Sequence, residues 1–173
     1  IYQAEVINHY TGEPVDEERN VLLESARIAR GKIFPLDRFK VDDYDALVFP
    51  GGYGVAKNLS DYAFKGSNCE VIEEIRDVVK NMHEKGKPIG GICISPVMLV
   101  SILKNIRVTI GNDENTAEDI RNMGGEHLKA GEGDVIVDKK NKIVTTPAYM
   151  LDSDIYNVYR GIEKMIMSML ELM

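Results

Sequence analysis

Twice along this chain a short apolar run stops at glycine: "DALVFPGGYG" at residues 45–54 and "KPIGGICISPVML" at 87–99. Neither run alternates apolar with polar side chains, the pattern of a parallel strand covered on both faces. Amphipathic stretches lie between such runs. Over residues 16–30, Val21, Leu22, Ala26, Ile28 and Ala29 recur at helical spacing, and Gly31 stands where a helix would stop. Residues 70–85 put Val71, Ile72, Ile75, Val78, Val79 and Met82 on one side, with Gly86 as the stop. "SPVMLVSIL" (95–103) predicts a helix with Pro96 in its first turn, where a missing N–H costs least. "AEVIN" (4–8) and "IRVTIG" (106–111) predict strands, "HYTGEP" a turn and "NTAEDIRNMGG" a short helix. "GDVIVDKKNKIVTT" predicts two strands about a Lys-Lys-Asn turn. Residues 155–172 predict a last helix with Ile155, Val158, Ile162, Met165, Ile166, Met169 and Leu170 as its apolar stripe, its methionines serving as core filler. Only residues 55–69 show no clear period. Such alternation predicts an α/β domain with a doubly wound, mostly parallel sheet and ligands at the carboxyl ends of its strands.

The bulk properties exclude several function classes. A chain of 173 residues suits one domain with a sizeable core. Its net charge of −7 and pI near 5.0 argue against a nucleic-acid surface, which would show a basic stripe. No apolar stretch approaches the roughly 20 residues that cross a bilayer, so no membrane partner is expected. Cys69 and Cys93 are too few for a disulfide framework and lack metal-ligand spacing, so no metal site is expected. A reducing, cytoplasmic setting follows from the same cysteine usage.

Chemistry is concentrated at the two strand ends. Gly91-Ile92-Cys93-Ile94-Ser95-Pro96 has the form of a nucleophile elbow, a sharp strand-to-helix turn that needs small neighbours such as Gly90 and Gly91. The helix that follows would turn free N–H groups and its positive dipole end toward the sulfur, favouring the thiolate. The alternative is a free cysteine packed as a small hydrophobe, and spacing alone leaves both open. Pro50-Gly51-Gly52-Tyr53-Gly54 would let the backbone approach a ligand and aim N–H groups at developing negative charge; a plain tight turn is the alternative. It is not a dinucleotide loop, since Lys57 stands where the third glycine belongs. His9, His83 and His127 read as surface or capping residues, and Cys69 as non-catalytic.

Four stretches carry a resemblance: "VINHYTGEPVDEERNVLLESARIARGKI", "PGGYGVAKNLSDYA", "GKPIGGICISP" and "NKIVTTPAYM". They resemble the ElbB-like family of isoprenoid-biosynthesis proteins with an amidotransferase-like domain. That family lies in the PfpI/ThiJ branch of the class I glutamine amidotransferase-like superfamily. The resemblance covers most of the chain and implies a flavodoxin-like sandwich with Cys93 on the elbow. It also implies an oxyanion pocket from the N–H groups of Gly52 and Ile94. Gly51, Lys57, Thr146 and Pro147 would line the substrate site, although Lys57 also reads as a solvated surface lysine. The implied activity is a cofactor-free glyoxalase acting on a small dicarbonyl, in a homodimer. Relatives in eukaryotes are mitochondrial.

Two departures from the superfamily pattern stand out. Amide-hydrolysing members carry a histidine just after the strand that follows the elbow's helix; here that stretch is "VTIGNDEN". This weakens protease and amidotransferase readings. The family's acidic partner for the thiol is a glutamate on a glycine-rich loop after the first strand, ahead of Ile1. The expectation is therefore one domain over residues 1–173 that lacks its N-terminal portion, the first strand, first helix and second strand, whose absence would leave apolar sheet edges. Two other function classes remain: a redox-sensing or regulatory module built on Cys93, and a degenerate relative without chemistry.

Overall fold

Asn20 decides where the first helix begins. The computed structural model describes residues 1–173, and the chain forms two compact units, Ile1–Phe39 and Lys40–Met173. In the first, β1 (Val6–Ile7) pairs antiparallel with β2 (Pro14–Val15), and the turn between them is closed by Gly12 N–H donating to Asn8 O. The Asn20 side chain then accepts from the N–H groups of Leu22 and Leu23, so α1 runs over Val21–Ile28. The predicted start at residue 16 is too early. A cap that satisfies two otherwise unmet N–H groups outweighs the apolar period of the residues before it.

The second unit is built on a four-stranded sheet. After β3 (Leu47–Phe49) the chain winds through a π-helical turn, Gly54–Leu59, and the short α2 (Tyr62–Lys65). It then forms α3 (Glu73–Glu84), β4 (Ile89–Ile92) and α4 (Ser95–Leu103). Next come β5 (Arg107–Val108), α5 (Glu114–Asn122) and β6 (Glu126–His127), then β7 (Ile136–Asp138), β8 (Ile143–Thr146) and α6 (Ile155–Leu170). The sheet order is β3-β4-β8-β7, with β3, β4 and β8 parallel and β7 antiparallel on the far edge. The β7–β8 pair is the predicted hairpin. Strands β5 and β6 form a separate parallel pair.

Strand β4 shows why this is an α/β sandwich. A Cβ on Gly90 would lie 2.6 Å from the sulfur of Met169, whereas one on Gly91 would lie 3.0 Å from Leu99 Cδ1. Successive strand residues face opposite ways. The bare glycines therefore let α6 close on one face of β4 and α4 on the other. On the α6 side, Ile92, Val144, Val158, Met165 and Met169 form one buried cluster. The fold is the flavodoxin-like α/β arrangement, its helices on both faces of a mixed sheet.

Packing trims the predicted helical stripes. In α6 the buried positions are Val158, Gly161, Met165 and Met169, while Ile155 is 78% and Leu170 54% exposed and Ile166 is also on the outside. The predicted stripe is thus wider than the face that meets the sheet, which is narrowed by the close approach at Gly90. In α3, Val71 lies before the helix, in a bridge to Ser60, so the helix starts three residues later than its apolar period suggests.

Candidate active site

Strand β4 delivers Cys93 into a conformation that side chains avoid. Its φ is 60°, in the left-handed region, where a non-glycine residue costs about 1–2 kcal/mol. Such strain persists only where the surroundings over-determine the backbone. Here they do. Cys93 N–H donates to Thr146 O at 3.0 Å, tying the elbow to the end of β8. Immediately afterwards Ile94 occupies the cap position of α4 without a side-chain capping bond. The thiol is half-buried and packs against the Ile92–Val144–Ala148 cluster.

The second loop presses against the first. Gly51 and Gly52 take φ values of 93° and 77°. A Cβ on Gly51 would lie 2.6 Å from Ile92 O and 2.9 Å from Cys93 Cβ, so no side chain fits there without moving the elbow. Gly52 has open space around its Cα. Neither the Gly52 nor the Ile94 N–H donates to an acceptor within the chain. The fully buried Ser95 links the two loops, its hydroxyl donating to Phe49 O at 3.0 Å.

The other singled-out residues fall around this centre in different ways. Thr146 ends β8 beside Cys93, and its hydroxyl donates to Asp134 O at 2.8 Å. Pro147 follows, touching the neighbourhood of Gly111, where a Cβ would lie 3.3 Å from the proline Cβ. Ala148, two residues past Thr146, also takes a positive φ, 45°. Lys57 belongs to the π-helical turn, and its ammonium lies 5.0 Å from the Tyr53 ring centroid and 5.7 Å from that of Phe64. It thus lies over two exposed aromatic rings.

Cys69 sits in a different environment. Burial, the largest influence, pushes its thiol above the ordinary cysteine value; the Asp61 charge acts the same way and a hydrogen bond with Ser101 opposes them. His127 is not a capping residue. It ends β6, half-buried, and its Nε2 accepts from Ile110 N–H at 3.4 Å. Burial pushes its pKa below the ordinary histidine value, with Arg121 and Lys129 adding to the effect and Glu114 opposing it. Sequence reasoning missed Ser95, since a serine at a helix start signals a cap and nothing local reveals a bond to another strand. It missed Ala148 as well, because alanine carries no signature of positive φ.

A model of the DJ-1/PfpI family matches residues 23–152. The chain belongs to the DJ-1/PfpI family. Its elbow, sheet and helical layers are those of this family's place in the class I glutamine amidotransferase-like superfamily. It is 43% identical over 180 residues to the rat protein named ES1 protein homolog, mitochondrial, a match covering 98% of this chain and 68% of the rat protein. A crystal structure titled as an isoprenoid biosynthesis protein with amidotransferase-like domain, from Ehrlichia chaffeensis, is 41% identical with a TM-score of 0.90. That match covers all of this chain and 80% of the Ehrlichia one. A Thermococcus kodakarensis protein named as a deglycase is 32% identical over 104 residues, covering 59% of this chain and 53% of its own. No helix of this DJ-1/PfpI chain is long and apolar enough to cross a membrane.

Proposed function

We propose that this chain is an ElbB-like member of the DJ-1/PfpI family and acts as a cofactor-independent glyoxalase on small 2-oxoaldehydes. The observation that carries the reading is Cys93 at φ 60° between β4 and α4, flanked by two N–H groups that no acceptor in the chain meets. A strained cysteine at a strand-to-helix turn is held for its reactivity rather than for its packing. The likeness to a protein named as a deglycase supports chemistry on carbonyl compounds, and the likeness to the Ehrlichia protein supports the ElbB-like assignment.

In this mechanism the Cys93 sulfur adds to one aldehyde carbon of glyoxal, forming a C–S bond. The carbonyl electron pair moves to oxygen, which the N–H groups of Gly52 and Ile94 stabilise before it takes a proton. The hemithioacetal carbon then loses its proton and the neighbouring carbon gains one, while the hydroxyl proton of the first carbon passes to the oxygen of the second. The first carbon is oxidised to a thioester and the second reduced to a hydroxymethyl group, so no external oxidant or reductant is consumed. Water cleaves the thioester, releasing glycolate and the free thiol. In this reading Thr146, bonded through its carbonyl to the Cys93 N–H, and Pro147 after it would line the substrate site with Gly51, and Lys57 would attract the developing negative charge. The names of the ES1 relatives support a mitochondrial setting for a eukaryotic source.

The test compares glycolate formation from glyoxal in Cys93→Ser and Cys69→Ser proteins. Loss in the first and near-normal turnover in the second is the expected result; equal activity in the two sinks the reading. Selective peroxide oxidation of Cys93 in a protein that turns over no dicarbonyl would instead establish a redox sensor.

A further inference from the structure

We propose that Ser95 is the positioning residue that holds the Gly52 and Ile94 N–H groups at a fixed separation. The inference rests on the reading above, in which those two groups receive the oxyanion. They belong to different segments, and the parallel ladder that joins β3 to β4 ends at the Phe49–Gly91 pair. Beyond that pair β3 and β4 share no ladder bond, although the Cys93 N–H still donates to Thr146 O and the Gly52 carbonyl accepts from the Val55 and Ala56 N–H groups. Two further features set how the loops lie against each other. The missing side chain at Gly51 lets the loops lie this close, since a Cβ there would stand 2.6 Å from Ile92 O and 2.9 Å from Cys93 Cβ. The Ser95 hydroxyl, donating to Phe49 O, stops them from moving apart.

Ile94 takes the cap position of α4, so Ser95 is the first helical residue and its hydroxyl is free to reach outside the helix. In α4 no side chain caps the helix, and the fully buried Ser95 hydroxyl is spent on a carbonyl from another strand. The bond sits one residue past Ile94 and three before Gly52, so it clamps both donor segments at once. A net stabilisation of the usual size for a buried hydrogen bond is a small part of the stability of the whole unit. Set against a rotation of one N–H away from a developing charge, the same bond matters far more, because a donor that misses the oxyanion contributes nothing.

The experiment uses the whole chain with Ser95→Ala and Ser95→Thr, the latter keeping the hydroxyl. Backbone order parameters from nitrogen relaxation are expected to fall at Gly52 from about 0.85 to below about 0.6 in Ser95→Ala, and to stay near the wild-type value at Leu99 and Val100. The kcat for glyoxal is expected to fall about tenfold with KM within about twofold, the pattern of an interaction made only in the transition state. Alkylation of Cys93 by iodoacetamide, which builds no oxyanion, should stay within about twofold of wild type. Ser95→Thr should restore both order and turnover. An unchanged Gly52 order parameter in Ser95→Ala overturns the proposal, as does a parallel loss of turnover, alkylation and melting temperature, which would mark a merely structural serine. A fall in order at Gly52 in a protein whose wild type turns over no dicarbonyl would uphold the clamp and refute the glyoxalase.

Discussion

Replacing Gly51 by alanine is the sharpest probe of the elbow. Two costs add. At φ 93° an alanine is strained, by about 1–2 kcal/mol. Its methyl would also lie 2.6 Å from Ile92 O and 2.9 Å from Cys93 Cβ. Neither neighbour can swing aside, because one is strand backbone and the other is the elbow itself, so the crowding adds roughly 1–3 kcal/mol. The sum is about 3 kcal/mol, which lowers the melting temperature by about 6–12 °C in a chain of this size. Gly52→Ala is the built-in control. Its φ of 77° brings the same strain, but nothing lies within 4 Å of the added methyl, so the cost is about 1–2 kcal/mol. Thermal or urea unfolding of the two variants measures the difference directly. Equal destabilisation would refute the claim that the elbow leaves no room for a side chain at Gly51.

Two further predictions concern acid. Asp138, 4% exposed, accepts from Arg107 N–H at 2.9 Å, Asn141 N–H at 3.1 Å and Asn141 Nδ2 at 2.7 Å. Burial pushes its carboxyl up, but the bonds from Asn141 and Arg107 together outweigh it and leave the pKa below the usual carboxylate value. A depressed folded pKa gives stability that is present above the unfolded value, about 3.9, and is lost as pH falls through the folded one. The melting temperature should therefore drop below about pH 4, and less steeply in Asp138→Asn; Asp138→Ala should cost about 1–3 kcal/mol at pH 7 by leaving buried donors unmet. His127, lowered chiefly by burial, follows the same sign: its contribution is present above the unfolded value of about 6.5 and is lost as pH falls through the folded one. Proton NMR should place its titration midpoint below 6.5, and His127→Gln, which still offers Ile110 N–H an acceptor, should flatten melting temperature against pH in that window. A midpoint at or above 6.5 would contradict the neutral, accepting imidazole.

Much of this architecture is written locally. Helix α4 spans the residues that "SPVMLVSIL" predicts, because Pro96 is tolerated in a first turn and the apolar run that follows is good helix former. The β7–β8 hairpin follows from two apolar runs about a polar turn. Cys93 on the elbow was legible because glycines and a helix start leave few ways for a chain to turn there. The stretch over residues 55–69 was not legible. It folds as a π-helical turn, a four-residue helix and a single 3₁₀ turn, each too short to show a period.

What the amino-acid order determined by itself was the alternation of elements, the glycine-flanked strand ends and the place of Cys93 between them, since these depend on near neighbours along the chain. Only the tertiary structure decided that Gly90 and Gly91 admit helices to opposite faces of β4. It also decided that Lys57 lies against two rings and that much of the α6 stripe stays outside. The same holds for Ser95, whose serine side chain at a helix start is used to grip a carbonyl of β3. These outcomes depend on which distant segment arrives at a given atom, and hydrogen bonds and van der Waals contacts act over a few ångströms of space, wherever in the sequence the partner comes from.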